Sequence, residues 1–140
     1  MKRKKTRMVL FALLLCFLLS TISYAANESS LYLSAYTAYI TKSGNTVNIN
    51  FEVYGTRIMD QVGVTEIYLY EKTSPYGSWS PVETYLSTDP DYYSSMIGTT
   101  TSYKISSVSY SGSSSYQYKA YVTVYAEKDG GSDSKVIIAS

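Results

Sequence analysis

YQYKAYVTVYA, Tyr116 to Ala126, places an apolar or small residue at every second position: Tyr116, Tyr118, Ala120, Val122, Val124 and Ala126. Successive side chains of a strand point to opposite faces, so a period of two marks a strand with one face in a core. Between them stand Gln117, Lys119, Tyr121, Thr123 and Tyr125. The face that should meet water therefore carries two tyrosines. Tyrosine is good strand material and also good contact material, so this face has two readings from the outset.

The same period runs outward along the chain. TVNINFEVY, Thr46–Tyr54, sends Val47, Ile49, Phe51 and Val53 one way and Asn48, Asn50 and Glu52 the other. GVTEIYLYEK, Gly63–Lys72, puts Ile67 and Leu69 inward and Tyr68 and Tyr70 outward. Further strands are predicted over Leu31–Thr41, Trp79–Leu86, Ser102–Tyr110 and Lys135–Ala139, with Pro81 marking an edge strand because proline cannot donate to a ladder. KSGN, TSPYGS, SGSS and DGGSDS supply turns, and STDPDYYSSMIGTTT reads as a long irregular connection. Seven short strands without helical periodicity predict an all-β chain, a single antiparallel β-sandwich. No internal repeat is present, which argues against a solenoid or propeller.

The first 25 residues read as an address. Five basic residues (Lys2, Arg3, Lys4, Lys5, Arg7) precede an apolar run of 12 residues, Met8–Leu19, and small residues follow at Ser23 and Ala25. A bilayer span needs about 20 residues, so this is the pattern of a secretory signal peptide rather than an anchor. Cleavage is expected after Ala25, with Ala26 as the alternative. Cys16 follows Leu13, Leu14 and Leu15, not the small residue that lipoprotein processing requires. The domain is then residues 26–140, expected to be secreted and extracellular, without a wall-sorting motif or anchor tail.

Removing the leader changes the chemistry. Seven Lys and Arg remain against 11 Asp and Glu, a net charge of −4, which argues against nucleic acid and anionic membrane as partners. The single cysteine leaves with the leader, so no disulfide or thiolate ligand remains. The remaining 115 residues suffice for one core.

At Tyr116–Ala126 the chain resembles the sixth strand of fibronectin type III and immunoglobulin-like domains. There a tyrosine near the strand start bonds back across the preceding turn. The resemblance gives that structural role to Tyr118, two residues before Ala120, with Tyr116 as the alternative; AEKDGGSDSKV resembles the last hairpin of those folds. A buried Trp on the third strand is missing, since Trp79 lies later, and paired cysteines are missing too. INFEVYGT, EIYLYEK, the run from Trp79 through Val82 to Tyr85, and YKAYVTVYAEKDGGSDS also resemble a group of small secreted proteins of unknown function from Gram-positive bacteria. That resemblance implies fold and export, and brings no catalytic residues.

The chain contains no histidine, which excludes a Ser-His-Asp triad, a Cys-His pair and a His-based zinc site. Carboxylate-only hydrolysis would have to use Glu66, Glu71 or Glu83, each also read as a solvated strand residue. Asp89 and Asp91, and Asp129 and Asp133, are oxygen donors on turns, but their spacing fits no calcium loop. SGSSS lacks the lysine and helix of a phosphate loop. No catalytic residue, metal ligand or cofactor is assigned.

Of the 17 tyrosines, 16 remain after the leader. With the third and sixth strands adjacent, Tyr68, Tyr70, Tyr121 and Tyr125 would form an outward aromatic row, with Lys119 or Glu66 beside it. Such a row can stabilise a sheet through cross-strand pairs, or grip a sugar or protein. The expectation is a non-enzymatic binding or structural module facing a protein or polysaccharide partner, with a carbohydrate-binding module as the alternative. Self-association is a third use, against which Glu52, Lys72 and Pro81 would work.

Overall fold

The computed structural model describes residues 30–140; the leader and its cleavage point lie outside them. Six strands and one short helix follow in order: β1 (Leu33–Ser43), β2 (Thr46–Lys72), β3 (Ser80–Leu86), α1 (Pro90–Met96), β4 (Ile97–Ser111), β5 (Gln117–Lys128) and β6 (Gly131–Ala139). All pairing is antiparallel, and the order β1-β2-β5-β6 forms the sheet's main path. The chain is all-β in class, a curled antiparallel sheet. Among the described residues no helix is long and apolar enough to cross a membrane.

The expected count of seven strands is corrected to six. The second and third expected strands are one strand of 27 residues, β2. Gly55–Gln61 (GTRIMDQ) looks like a loop because polar residues and a glycine interrupt the alternation. Its backbone nevertheless stays extended. Gly55–Ile58 bulges out, since β4 pairs Tyr103 with Tyr54 and then Thr101 with Met59. A bulge of this kind bends and twists a strand without ending it.

β2 organises everything else. Its first half pairs with β1 on one edge and β4 on the other. Its second half pairs with β5 on the β1 edge and β3 on the β4 edge. One long strand with four partners thus carries both halves of the sheet around a single core. Val47, Ile49, Phe51, Val53, Met59, Val62, Val64, Ile67 and Leu69 of β2 are fully buried there. Ala120, Val122, Val124 and Ala126 of β5 meet them, with Tyr85, Met96, Ile97 and Val108 closing the β3–β4 side.

Side chains tie the curl together. Lys42 Nζ at the end of β1 donates to the carbonyls of Tyr116 (2.9 Å) and Ser114 (3.2 Å), before β5. At the other end the Asp133 carboxylate of β6 accepts from the Ser30 hydroxyl and from the Tyr32 amide. The Tyr85 hydroxyl of β3 donates to the Ser109 carbonyl of β4 at 2.9 Å. Burial, with the nearby Glu83 carboxylate, pushes that phenol well above its ordinary range.

Two other sequence readings change. The connection after β3 contains α1, with Asp89 as its N-cap accepting from the Asp91 amide at 3.0 Å and Pro90 opening the first turn. Asp before Pro is an N-terminal helix signal, here outweighed in the reading by the surrounding Ser, Thr and Gly. The last strand begins at Gly131 rather than Lys135. The turn is only Asp129-Gly130, with φ of 54° and 79°, between the paired Lys128 and Gly131. Positive φ at both central residues is what a type I′ hairpin requires, and Asp-Gly supplies it.

Candidate functional site

The second half of β2 and β5 are hydrogen-bonded neighbours. Tyr68 stands directly opposite Tyr121, and Tyr70 opposite Lys119. Directly opposed residues share a face, so the buried Ile67, Leu69, Ala120 and Val122 leave these four on the outer one. The Tyr70 and Tyr121 rings meet edge to face, 5.6 Å apart at 83°. Tyr125 shares the face, but it lies opposite Gly63 and four residues along β5 from Tyr121, about 13 Å away. Its hydroxyl donates to Glu127 at 2.6 Å. Burial foremost, then this bond, raises its pKa. The row therefore divides into a cluster of Tyr68, Tyr70 and Tyr121 and a separate Tyr125–Glu127 pair.

The cluster has members that the tyrosine pattern does not show. Ser80 of β3 pairs with Glu71, so the chain returning from TSPYGS brings Trp79 level with Lys72. Lys119 Nζ lies 4.7 Å from the Trp79 ring centre, 5.5 Å from Tyr121 and 5.8 Å from Tyr70. Lys72 Nζ lies 5.0 Å from the same indole. Both ammonium groups are within the range of cation–π attraction, about 6 Å. The sequence signal was a single tryptophan just past a turn; only the β2–β3 register shows what it reaches.

Beyond β5 the same face continues onto the edge strand β6. Ile138 sits opposite Tyr121 and Val136 opposite Thr123, and both are more than 60% exposed, at 62% and 64%. Glu66 is on this face too, opposite Thr123 and Leu86. The outer side of this half-sheet is thus aromatic at its centre, aliphatic at the β6 edge and cationic at the Trp79 end.

Next to Trp79 the curl leaves a cleft of about 370 Å³, lined by Ile40, Lys42, Trp79, Gln117, Tyr118 and Ser140. It is the gap between the end of β1 and the start of β5. The Tyr118 ring is buried, 6.2 Å from Tyr110, and its hydroxyl accepts from the Ser113 amide at 2.7 Å, five residues upstream across the turn. Tyr116 packs, half-buried, against the same core.

The carboxylates considered for hydrolysis do not gather at this cluster. Glu66 is on the outer face, while Glu71 and Glu83 bear on Tyr110, whose pKa rises mainly through burial and then through Glu71. Three of the four turn aspartates are engaged in structure. Asp89 caps α1, Asp133 holds the start of β1, and Asp129 lies beside Lys128 and Arg57. Among the described residues no three His, Cys, Asp or Glu side chains stand close enough together to hold a metal ion.

The chain matches no protein-family model, no curated protein and no solved structure.

Proposed function

We propose that this protein is a secreted, non-enzymatic binding module, a β-sandwich of the immunoglobulin-like kind, that engages its partner through the outer face of β2, β5 and β6. The observation that carries this reading is the cluster of Tyr68, Tyr70, Tyr121 and Trp79 around Lys119. Cross-strand stabilisation alone would call for ring pairs on neighbouring strands. It would not call for an indole brought in from the end of β3, nor for exposed Val136 and Ile138 beside the rings. Aromatic side chains with polar tips, next to exposed aliphatic surface, are the composition of contact patches. The Trp79 cleft favours a polysaccharide over a flat protein partner, because it admits a chain end or ring edge.

The test compares the two halves of the outer face. Wild-type protein and two double variants, Tyr68→Ser/Tyr121→Ser and Tyr39→Ser/Tyr103→Ser, are sedimented with purified bacterial cell walls and applied to a glycan array. Tyr39 and Tyr103 are exposed tyrosines of β1 and β4. Retention of the wild type and of the Tyr39/Tyr103 variant, with loss in the Tyr68/Tyr121 variant, is expected. Equal retention of all three, or retention of none, removes the assignment of this face.

A further inference from the structure

We propose that the Trp79 end of this face is a receptor for a carboxylated polysaccharide, a chain of uronic acid units, held by Lys72 and Lys119 with Lys42 at the cleft wall. The inference rests on the binding-module reading and specifies its ligand.

Charge is the first argument. The described residues contain seven basic side chains; two of them, Lys72 and Lys119, lie against the Trp79 indole, and a third, Lys42, lines the cleft that Trp79 also lines. Among the described residues none of the three forms an ion pair. The pairs present involve Arg57 and Lys128 with Asp60 and Asp129, near the bulge of β2 and the β5–β6 turn. Lys72 donates to the Pro75 carbonyl at 3.3 Å and Lys42 to two carbonyls before β5. Carbonyls fix these ammonium groups without neutralising them. In a mature chain of net charge −4, this end is a local cationic site on an acidic background. Glu71, opposite Tyr118 on the inner face, is a carboxylate at this end, and three ammonium groups outnumber it; their attraction acts within about a Debye length, roughly 8–10 Å.

The rings supply the second argument. A sugar stacks on an aromatic face that is free to receive its C–H face. Here Tyr70 and Tyr121 meet at 83°, and two ammonium groups lie against Trp79. A neutral sugar would have to displace them. A ligand that brings its own carboxylate keeps them in place, because the ring attracts one side of each ammonium and leaves N–H donors on the other. A uronate unit offers both parts: an apolar C–H face for Tyr70, Tyr121 and the indole edge, and a carboxylate for the lysines. Gln117, on the cleft wall, adds an amide that can donate or accept at ring hydroxyls.

Trp79 is the only tryptophan, so its emission reports this site alone. The intact mature protein is titrated with oligogalacturonate, with neutral cellohexaose, with glycerol-phosphate teichoic acid and with polyglutamate. Oligogalacturonate should change the emission saturably, and more weakly at about 0.3 M salt than at about 0.05 M, as screening requires. Lys72→Gln and Lys119→Gln should each weaken binding by up to about fivefold, the upper end for an exposed charge pair. Lys104→Gln, whose ammonium donates to the Ser94 carbonyl elsewhere, should leave it unchanged. Melting curves of the three variants establish that they fold.

Binding of cellohexaose as tight as oligogalacturonate, without salt dependence, overturns the anionic ligand and keeps the binding face. Tighter binding of teichoic acid or polyglutamate overturns the uronate assignment in favour of a phosphodiester or an acidic protein. No emission change with any polymer, together with wall retention lost only in Tyr68→Ser/Tyr121→Ser, removes this site and leaves the face. No response in either experiment removes both.

Discussion

Replacing Gly63 by alanine tests the central packing of the fold. Gly63 sits between the buried Val62 and Val64, where β4 and β5 both pair with β2, and its φ is 151°. A Cβ placed there would meet the Met96 carbonyl oxygen at 2.1 Å, its carbon at 3.1 Å and Ile97 Cα at 3.2 Å. Non-bonded heavy atoms rest about 3.5–4.0 Å apart, so the α1–β4 junction would have to retreat by more than about 1 Å. The strained backbone costs about 1–3 kcal/mol and the overpacking about 1–3 kcal/mol more, giving an expected loss near 4 kcal/mol. Gly130 is the control. Its φ is 79°, but no atom lies within 4 Å of the point an added Cβ would occupy, so Gly130→Ala should cost only the left-handed penalty, about 1–2 kcal/mol. The readout is urea unfolding. With a slope of about 2 kcal/mol per molar, the midpoint should fall by about 2 M for Gly63→Ala and by less than about 1 M for Gly130→Ala. Equal shifts for the two variants would show that β4 does not cross Gly63 closely, and that β2 is not the shared strand described here.

Three further outcomes follow from the same geometry. Phe51→Ala removes a fully buried ring from the first half of β2 and should cost about 3–5 kcal/mol by denaturant midpoint; an unchanged midpoint would put the inward face wrong by one residue. Tyr118→Phe deletes the acceptor of the Ser113 amide, and a donor left unpaired in a half-buried turn should cost about 1–2 kcal/mol, read as a lower melting temperature; no change would make the hydroxyl incidental. In acid, the Lys128 ammonium holds the Asp60 carboxyl below its ordinary range, and the Ser30 hydroxyl does the same for Asp133. A carboxyl depressed in the folded state stabilises above its unfolded pKa, about 3.9, and loses that contribution as pH falls through the folded value. The unfolding midpoint should therefore decline below about pH 4, and Asp60→Asn/Asp133→Asn should flatten the decline; an identical acid limb would refute the assignment.

What the sequence made legible was local alternation. Val47 to Val53, Ile67 and Leu69, and Ala120 to Ala126 are inward as their period of two requires, because each run lies between irregularities and not across one. Illegible were the places where a strand continues through a bulge. Gly55–Gln61 has the composition of a loop, and partners distant in sequence hold it: Leu33 opposite Gly55, the Tyr32 carbonyl accepting from the Thr56 amide, Thr101 opposite Met59 and Glu127 opposite Gln61. For the candidate site, the outward positions of Tyr68, Tyr70 and Tyr121 follow from the same alternation. Trp79 and Lys72 were hidden, since their meeting depends on the β2–β3 register, which slips between Leu69 and Tyr70.

Those irregularities also decide which way the aromatic cluster faces. Along β2 the buried residues are odd-numbered through Met59, even-numbered at Val62 and Val64, and odd-numbered again at Ile67 and Leu69. The second change is the bulge at Thr65. Val64 opposes Val124 and Glu66 opposes Thr123, so Thr65 has no partner on β5. Extrapolating the first half of β2 to Tyr68 gives the correct face only because two shifts of one residue cancel. Were either shift absent, Tyr68 and Tyr70 would turn into the core and Ile67 and Leu69 out into water, since a slip of one residue exchanges the faces of a strand. The site is therefore built as much by Thr65, whose hydroxyl donates to the Thr123 carbonyl, as by the tyrosines themselves. Core packing enforces it, because a slip of one residue would expose Ile67 and Leu69, which are fully buried opposite Val122 and Ala120.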